Sequence, residues 1–330
     1  MSLVYPSRIQ EIQNDLENHI QTISFGKRPK ELYEPISYLM GVGGKRIRPL
    51  LTLLAYSLYK EDYKHILSPA TAVEIFHNFT LMHDDIMDQA PLRRGKASVH
   101  EKWNHNTAIL SGDVMLVRAY DMLLQVTPDK LSLCLQYFNK TAAEVCEGQQ
   151  LDMNFEDREH VTEEEYLQMI RLKTAVLLGF SLQYGAIMAG AATDDTQKLY
   201  DFGVNIGIGF QLKDDLLDVY ADKNKFGKQV GGDIISNKKT YLLIKAEELA
   251  KGREAETLQY WGNVKDFDKE EKVRAVTSVY DSLGIKEIAE SKMEDYFEKG
   301  FHQLSCIHAV YQDSLKELRI LTQELISREN

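Results

Sequence analysis

Residues 162–188 read TEEEYLQMIRLKTAVLLGFSLQYGAIM. Thr162 and Glu165 stand three apart ahead of an apolar run. That is the capping-box spacing, in which the hydroxyl accepts a backbone N–H and the glutamate reaches back to the cap. It predicts a helix reaching about Met188. Ala175 to Ala192 is the most apolar part of the chain, yet Ser181, Gln183 and three glycines interrupt it. A membrane span wants about 20 clean apolar residues, so a buried central helix is expected here and no membrane span.

Outward from this segment the pattern stays helical. All seven prolines lie at or before Pro128, and the chain holds only 20 glycines, which favours long helices. Ile9, Ile12, Leu16, Ile20 and Ile23 form a helical stripe that Ser7 is placed to cap. Asp194 or Asp195 can start a helix reaching Tyr220. Ile307, Val310, Leu315, Leu318, Leu321 and Leu325 recur at mostly three- and four-residue steps. No run of period-two alternation stands out. Breaks fall near 26–29, 41–45, 91–96, 128, 155–160, 222–237 and 262–268. None is a Gly/Ser linker and no repeat of fixed period is evident. The expectation is an all-α fold in which residues 1–330 form one helical domain.

The 330 residues are 44% hydrophobic and 27% charged, with 39 Lys and Arg against 50 Asp and Glu, a net charge of −11. So acidic a chain lacks the basic footprint of a nucleic-acid binder. A polyanionic ligand must then be met by local basic clusters or by metal ions. Cys134, Cys146 and Cys306 are too few and scattered for a disulfide framework, and no CxxC pair suggests zinc. With no apolar signal-like stretch at the N-terminus, a reducing, cytoplasmic setting is expected.

Asp84 and Asp88 are four apart in DDIMD (84–88), and the pattern recurs at Asp214 and Asp218 in DDLLD (214–218). On a helix this spacing stacks two carboxylates on one face, about 6 Å apart. A solvated helix face would show the same pattern. Here, however, each triad ends an apolar helix (72–82 and 204–212), where the macrodipole already disfavours negative charge. A divalent cation would supply the compensation. Carboxylate clusters without cysteine suit magnesium or manganese, which bridge carboxylates to phosphate oxygens. Two such clusters on facing helices would clamp a diphosphate.

Basic loops accompany the acids. Gly43-Gly44-Lys45-Arg46-Ile47-Arg48-Pro49 sets a flexible loop and three cations at a helix N-terminus, a place favourable to anions. Arg93-Arg94-Gly95-Lys96 trails the first triad. Lys228, Gly231-Gly232-Asp233 and Lys238 trail the second. The pattern suggests two phosphate-bearing ligands, one held mostly through metal and one mostly by Arg and Lys.

In order along the chain, GGKRIRP (43–49), HNFTLMHDDIMD (77–88), RRG (93–95), SGD (111–113), KT (173–174), GFQLKDDLLD (209–218) and GKQVGGD (227–233) resemble the trans-isoprenyl diphosphate synthases, or polyprenyl synthetases. The resemblance covers most of residues 40–240; beyond about 245 the chain matches only as generic helix. It implies an all-α bundle around a deep central cavity, usually a homodimer, using three magnesium ions for which manganese can substitute. Carried over residue by residue, it gives Asp84 and Asp88 two of the metals and Asp214 the third, with Asp85 and Asp218 in support. Arg93, Lys173, Lys228 and Lys238 would grip an allylic diphosphate. Gly44, Lys45, Arg48, His77 and Arg94 would hold isopentenyl diphosphate, while Thr174 and Gln211 would face the breaking carbon–oxygen bond. His83 reads as structural.

The implied reaction is head-to-tail (1′-4) condensation. Diphosphate departs, the allylic cation is attacked by the isopentenyl double bond, and a proton is lost. Product length would be set below the first triad, where Phe79 lies about 7.5 Å deeper than Asp84 and Phe76 about a turn further. Thr80 is small where short-product animal-type synthases tend to have a second aromatic. The first triad also lacks the two-residue insertion typical of many bacterial farnesyl and geranylgeranyl synthases. Geranylgeranyl or farnesyl diphosphate is the expected product, with longer chains as the alternative. A terpene cyclase would also ionise allylic diphosphates but needs no counterpart of GGKRIRP and Arg94. A partner-dependent subunit would be expected to have lost part of one triad, and both are complete.

Overall fold

The computed structural model describes residues 7–221 and 231–327. The helices, in chain order, are α1 (Ser7–Thr22), α2 (Lys30–Gly41), α3 (Ile47–Ser57), α4 (Leu67–Met87), α5 (Val99–Lys102), α6 (His105–Leu123), α7 (Pro128–Glu156), α8 (Glu163–Ile170), α9 (Val176–Ala189) and α10 (Thr193–Tyr220). There follow α11 (Gly232–Ile235), α12 (Tyr241–Leu249), α13 (Arg253–Asn263), α14 (Lys269–Ser282), α15 (Ile285–Ser305) and α16 (Gln312–Ser327). The fold is all-α, as the scarcity of proline and glycine implies. Pro49 and Pro69 sit in first turns and Pro128 opens α7, where a missing N–H costs no intrahelical bond.

The Thr162 cap forms as the spacing predicts. Glu165 N donates to Thr162 Oγ1 at 3.3 Å and Thr162 N donates to Glu165 Oε2 at 2.9 Å. The helix beyond it differs from the expectation in one respect: Arg171–Ala175 widens into a π-turn between α8 and α9. Such bulges concentrate at functional positions, and this one carries Lys173 and Thr174.

Two further departures have local causes. Leu92–Arg93 (β1) and Lys96–Ala97 (β2) pair antiparallel, closed by Arg94 (φ 52°) and Gly95 (φ 74°). Two successive left-handed residues are what a tight type I′ hairpin turn requires, and two-residue strands are too short to show alternation. At the other end, Ile307 and Val310 belong to no helix although their spacing suggests one. Val310 N and Tyr311 N both donate to Leu58 O (2.9 and 3.0 Å), and His308 N donates to Asp195 Oδ1 (3.1 Å). The backbone there is bonded to other elements, and helix resumes at Gln312.

The chain divides into two compact units. One comprises Met1–Asn139, Phe180–Leu199 and Ile307–Leu321; the other Lys140–Gly179, Tyr200–Cys306 and Thr322–Asn330. In the first, α4 is the core element. Ala70, Ala72, Val73, Ile75 and Phe76 are all at most 1% exposed, and α3 and α6 pack against it. Gly185 lets its helix press on α3, since a Cβ there would lie 2.1 Å from Thr52 O. In the second unit Tyr166, Met169, Leu212, Leu242, Tyr280 and Ala289 are among the core residues. There Gly203 and Gly207 bring α10 against backbone: their Cβ atoms would fall 2.7 Å from Gly179 Cα and 2.6 Å from Ala175 Cα.

Among the described residues, one helical run, Glu163–Ala189, is long and apolar enough to cross a membrane by length and composition. Its most apolar window is 89% buried within the fold, the environment expected of a core helix.

Candidate active site

In the first unit the DDIMD carboxylates sit on the last turn of α4 and just past it. Successive positions on a helix point about 100° apart, so the three aspartates meet different surroundings. Asp88 is exposed and Asp84 half-buried. Asp85 turns inward, is 1% exposed, and accepts from Arg93 Nε at 2.9 Å and from Arg93 Nη2 on the same oxygen. Burial raises the Asp85 pKa above the ordinary carboxylate range, against the pull of Arg93. Arg93 also lies 3.8 Å from Asp84. The hairpin of β1 and β2 therefore pins a guanidinium beneath the triad.

The GGKRIRP turn supplies cations to the same unit. Lys45 is exposed. Arg48 Nη1 approaches His77 Nε2 at 3.1 Å. Arginine can only donate, so Nε2 must accept, leaving the ring neutral with its proton on Nδ1. The environment agrees, since burial and then the charges of Arg48 and Arg94 hold His77 well below its ordinary pKa. Burial, opposed by Glu74 and aided by Arg94, draws Arg48 down to about 10, which leaves it charged at neutral pH. Gly44 takes a positive φ of 148°, which favours glycine, and the Arg94 guanidinium lies close against its Cα. The structure thus brings Gly44, Arg48, His77 and Arg94 together, two guanidinium groups beside one neutral imidazole.

Below the triad, the Phe76 ring packs 5.7 Å from Phe79 and 5.1 Å edge-on from Phe138. Phe76 is 1% exposed and Phe79 partly so. Thr80 donates its hydroxyl to His77 O at 2.8 Å, so it presents mainly a methyl group. His83 bonds Ile109 O at 3.1 Å.

The second unit arranges the other candidates along α10 and the π-turn. Lys173 Nζ pairs with Asp152 Oδ2 at 2.6 Å, helped by Gly148, whose Cβ would fall 2.2 Å from Lys173 N. Thr174 Oγ1 donates to Gln211 Oε1 at 3.4 Å, and Gln211 Nε2 donates to Asp215 Oδ1 at 3.3 Å. Asp214 is exposed. Asp218 is fixed by the Gly231-Gly232-Asp233 turn, its Oδ2 accepting from Asp233 N at 2.9 Å. Asp233 in turn accepts Lys238 N on its carbonyl at 2.9 Å. Burial pushes the Asp233 carboxyl up to about 6, with Lys238 opposing and Asp218 adding to the rise. Lys228 lies outside the described residues.

Asp215 is the second triad's inward member. Tyr166 OH and Tyr241 N (3.3 Å) both donate to its Oδ2. Burial pushes its pKa up to about 7, against the hydrogen bond from Tyr166. Asp152 and Tyr166 have no sequence signature. Asp152 is one acid on a 29-residue helix, and only the close packing at Gly148 brings it to Lys173.

The donor chemistry fits a hard divalent cation. Among the described residues no three His, Cys, Asp or Glu side chains converge into a ready cage. The outward carboxylates Asp84, Asp88 and Asp214 suit an ion that keeps waters and completes its shell with phosphate oxygens.

An all-α fold carrying two aspartate-rich helix ends, each backed by basic loops, matches the polyprenyl synthetase family model over residues 29–280. The chain belongs to that family. It is 39% identical over 304 residues to the geranylgeranyl diphosphate synthase of Methanosarcina mazei, covering 92% of this chain and 91% of the relative. It is 35% identical over 299 residues to the geranylfarnesyl diphosphate synthase of Natronomonas pharaonis, covering 85% and 86%. The crystal structure of a geranylgeranyl pyrophosphate synthase superposes with a TM-score of 0.91 at 40% identity over the full length of both chains.

Proposed function

We propose that this chain is a divalent-metal-dependent prenyltransferase that condenses isopentenyl diphosphate with an allylic diphosphate and releases diphosphate. The observation that carries it is the cluster of Arg48, His77 and Arg94 around Gly44. In an acidic chain, the half-buried Arg48 and the exposed Arg94 beside a neutral histidine form a site for a second phosphorylated substrate. An enzyme that only ionised one allylic diphosphate would have no use for it.

In this reading Lys45, Arg48, His77 and Arg94 hold the isopentenyl diphosphate, with the Gly44 backbone close to it. Arg93, Lys173, Lys228 and Lys238 hold the allylic diphosphate, Lys173 exchanging Asp152 for phosphate oxygens. Bound at Asp84, Asp88 and Asp214, with Asp85 and Asp218 in support, magnesium ions, three in number and replaceable by manganese, would stabilise the charge developing on the departing diphosphate. The carbon–oxygen bond breaks with its electron pair leaving on diphosphate. The isopentenyl double bond then attacks the allylic carbon, and the proton lost afterwards goes to the released diphosphate. Thr174 and Gln211 present their oxygens towards the cation. Aromatic walls at Phe76 and Phe79 exclude the water that would quench it.

The product is geranylgeranyl diphosphate or a close homologue, farnesyl or geranylfarnesyl. The names of the relatives and the double ring below Asp84 support this. We further infer a cytoplasmic homodimer. Three scattered cysteines with no CxxC pair, Cys134, Cys146 and Cys306, support a reducing setting. The exposed Leu110, Val117 and Leu124 (57%, 58% and 57%), seven residues apart along α6 and its C-cap, support a second copy covering that stripe. Incubating the protein with magnesium, isopentenyl diphosphate and dimethylallyl or farnesyl diphosphate tests the reading. A C15 to C25 product is expected, with one diphosphate released for each isopentenyl diphosphate consumed; hydrolysis or cyclisation without chain extension would refute it. Phe79→Ala in the same assay should lengthen the product, and an unchanged distribution would place the floor elsewhere.

A further inference from the structure

We infer that Arg46 is a positioning residue whose buried guanidinium sets the geometry of the isopentenyl diphosphate site; the inference rests on the function proposed above. GGKRIRP carries three cations, which the sequence presents as equivalent anion contacts. The structure separates them. Lys45 is exposed and Arg48 meets His77, whereas Arg46 is 3% exposed and points into the protein. Its φ of 48° is a left-handed conformation disfavoured for a residue with a long side chain. It turns the chain so that neighbouring side chains diverge.

Every nitrogen of the guanidinium is engaged. Nη1 donates to Glu74 Oε1 at 2.7 Å, Nη2 to Met40 O at 2.6 Å and Nε to Glu17 Oε2 at 3.4 Å. One planar group therefore ties together α1, the end of α2 and α4. A single ammonium could not reproduce that fork. Glu74 is itself 2% exposed and also accepts from Asn78 Nδ2 at 3.0 Å. It precedes His77 by three residues, close to the same face of α4. The Arg46–Glu74 bond thus fixes the GGKRIRP turn against the turn of helix that presents His77. Glu74 has a second effect, since its charge favours the cationic forms of Arg48 and Arg94 against burial and the charges of neighbouring guanidinium groups. A buried carboxylate beside an anion site is unfavourable unless its charge is balanced, and Arg46 balances it through the 2.7 Å ion pair.

The test is the split between substrates. In Arg46→Met, KM for isopentenyl diphosphate should rise at least tenfold while KM for the allylic diphosphate stays within twofold. Arg46→Lys, retaining the charge but not the fork, should raise the former about threefold. Calorimetric titration with isopentenyl diphosphate alone should show the same ranking. A general structural defect would raise both KM values together, and that result, or an unchanged isopentenyl diphosphate KM in folded Arg46→Met, overturns the proposal. Should Arg46→Met fail to fold, Arg46→Lys is judged by the same split. Wild-type protein that bound no isopentenyl diphosphate in the titration would overturn the functional reading, and this inference with it. Normal wild-type binding with unaffected variants would overturn the inference alone.

Discussion

Asp85 and Asp215 occupy the same place in two copies of one motif, and both are buried, at 1% and 4% exposed. Asp85 faces a cation: Arg93 donates two hydrogen bonds to one of its oxygens, while its other oxygen has no partner among the described residues. Asp215 has neutral donors instead, from Tyr166, Tyr241 and Gln211, and its pKa rises to about 7. One carboxylate serves as the counter-ion of a guanidinium, and the other as the hub of a neutral hydrogen-bond network. Of the outward members, Asp84 is half-buried with Arg93 3.8 Å away, and Asp88 and Asp214 are exposed, so all three face solvent more than the inward pair. The motif therefore couples an outward pair suited to a cation with an inward residue whose task is set by whatever packs beneath it.

The sharpest way to break this division is to neutralise an outward residue. Asp84→Asn and Asp214→Asn should each lower kcat by at least about a hundredfold, because bond breaking here depends chiefly on stabilising the charge that builds on the departing diphosphate. The helical circular dichroism spectrum and melting temperature should stay unchanged. Near-normal turnover in either variant would remove the metal role proposed for that aspartate.

How much of this is legible in the sequence depends on the range of the interaction. The Thr162 capping box, α1 and the start of α10 are local events, written within four residues of sequence. The acidic and basic motifs are legible for the same reason, and their type of chemistry follows from residue type. Which member of each cluster turns inward is not legible. Asp84 and Asp85 are equivalent as letters, as are Lys45, Arg46 and Arg48. Their difference arises from Arg93, Glu74 and Met40 O, brought near by tertiary packing. The β-hairpin around Arg94 and the non-helical 307–311 segment escape a sequence reading because their backbone bonds go to partners chosen by the fold.

A second prediction sharpens the contrast through pH. The unfolded Asp215 carboxyl ionises near pH 3.9 and the folded one near 7. Between these values the folded chain holds a proton that the unfolded chain has lost. Stability of the metal-free protein should therefore fall as pH rises from about 4 to 7, by at most about 4 kcal/mol from this group, and level off above it. Asp233, raised to about 6, contributes in the same direction. Asp215→Asn should flatten the slope in urea titrations run across that range. An identical slope in the variant would mean that Asp215 is ionised in the folded protein.

The smallest expected effect is also the most discriminating, because it compares the inward pair directly. In Asp85→Asn the carbonyl oxygen can still accept from Arg93, but the hydrogen bonds lose their charge assistance. The new amide nitrogen replaces an oxygen that has no partner among the described residues, so it becomes a buried donor without an acceptor there. Together these losses should cost about 2 kcal/mol at pH 7. Asp215→Asn meets a different neighbourhood. Its carbonyl can keep the bonds from Tyr166 and Tyr241. Its amide can donate to Gln211 once that side chain turns over, and the Thr174 hydroxyl can accept from the turned amide. The hydrogen bonds named all come from neutral donors and can be kept or exchanged, so the cost at pH 7 should be within about 1 kcal/mol. Equal destabilisation by the two substitutions would mean that the inward carboxylates serve one common purpose, and that Arg93 is not what distinguishes them.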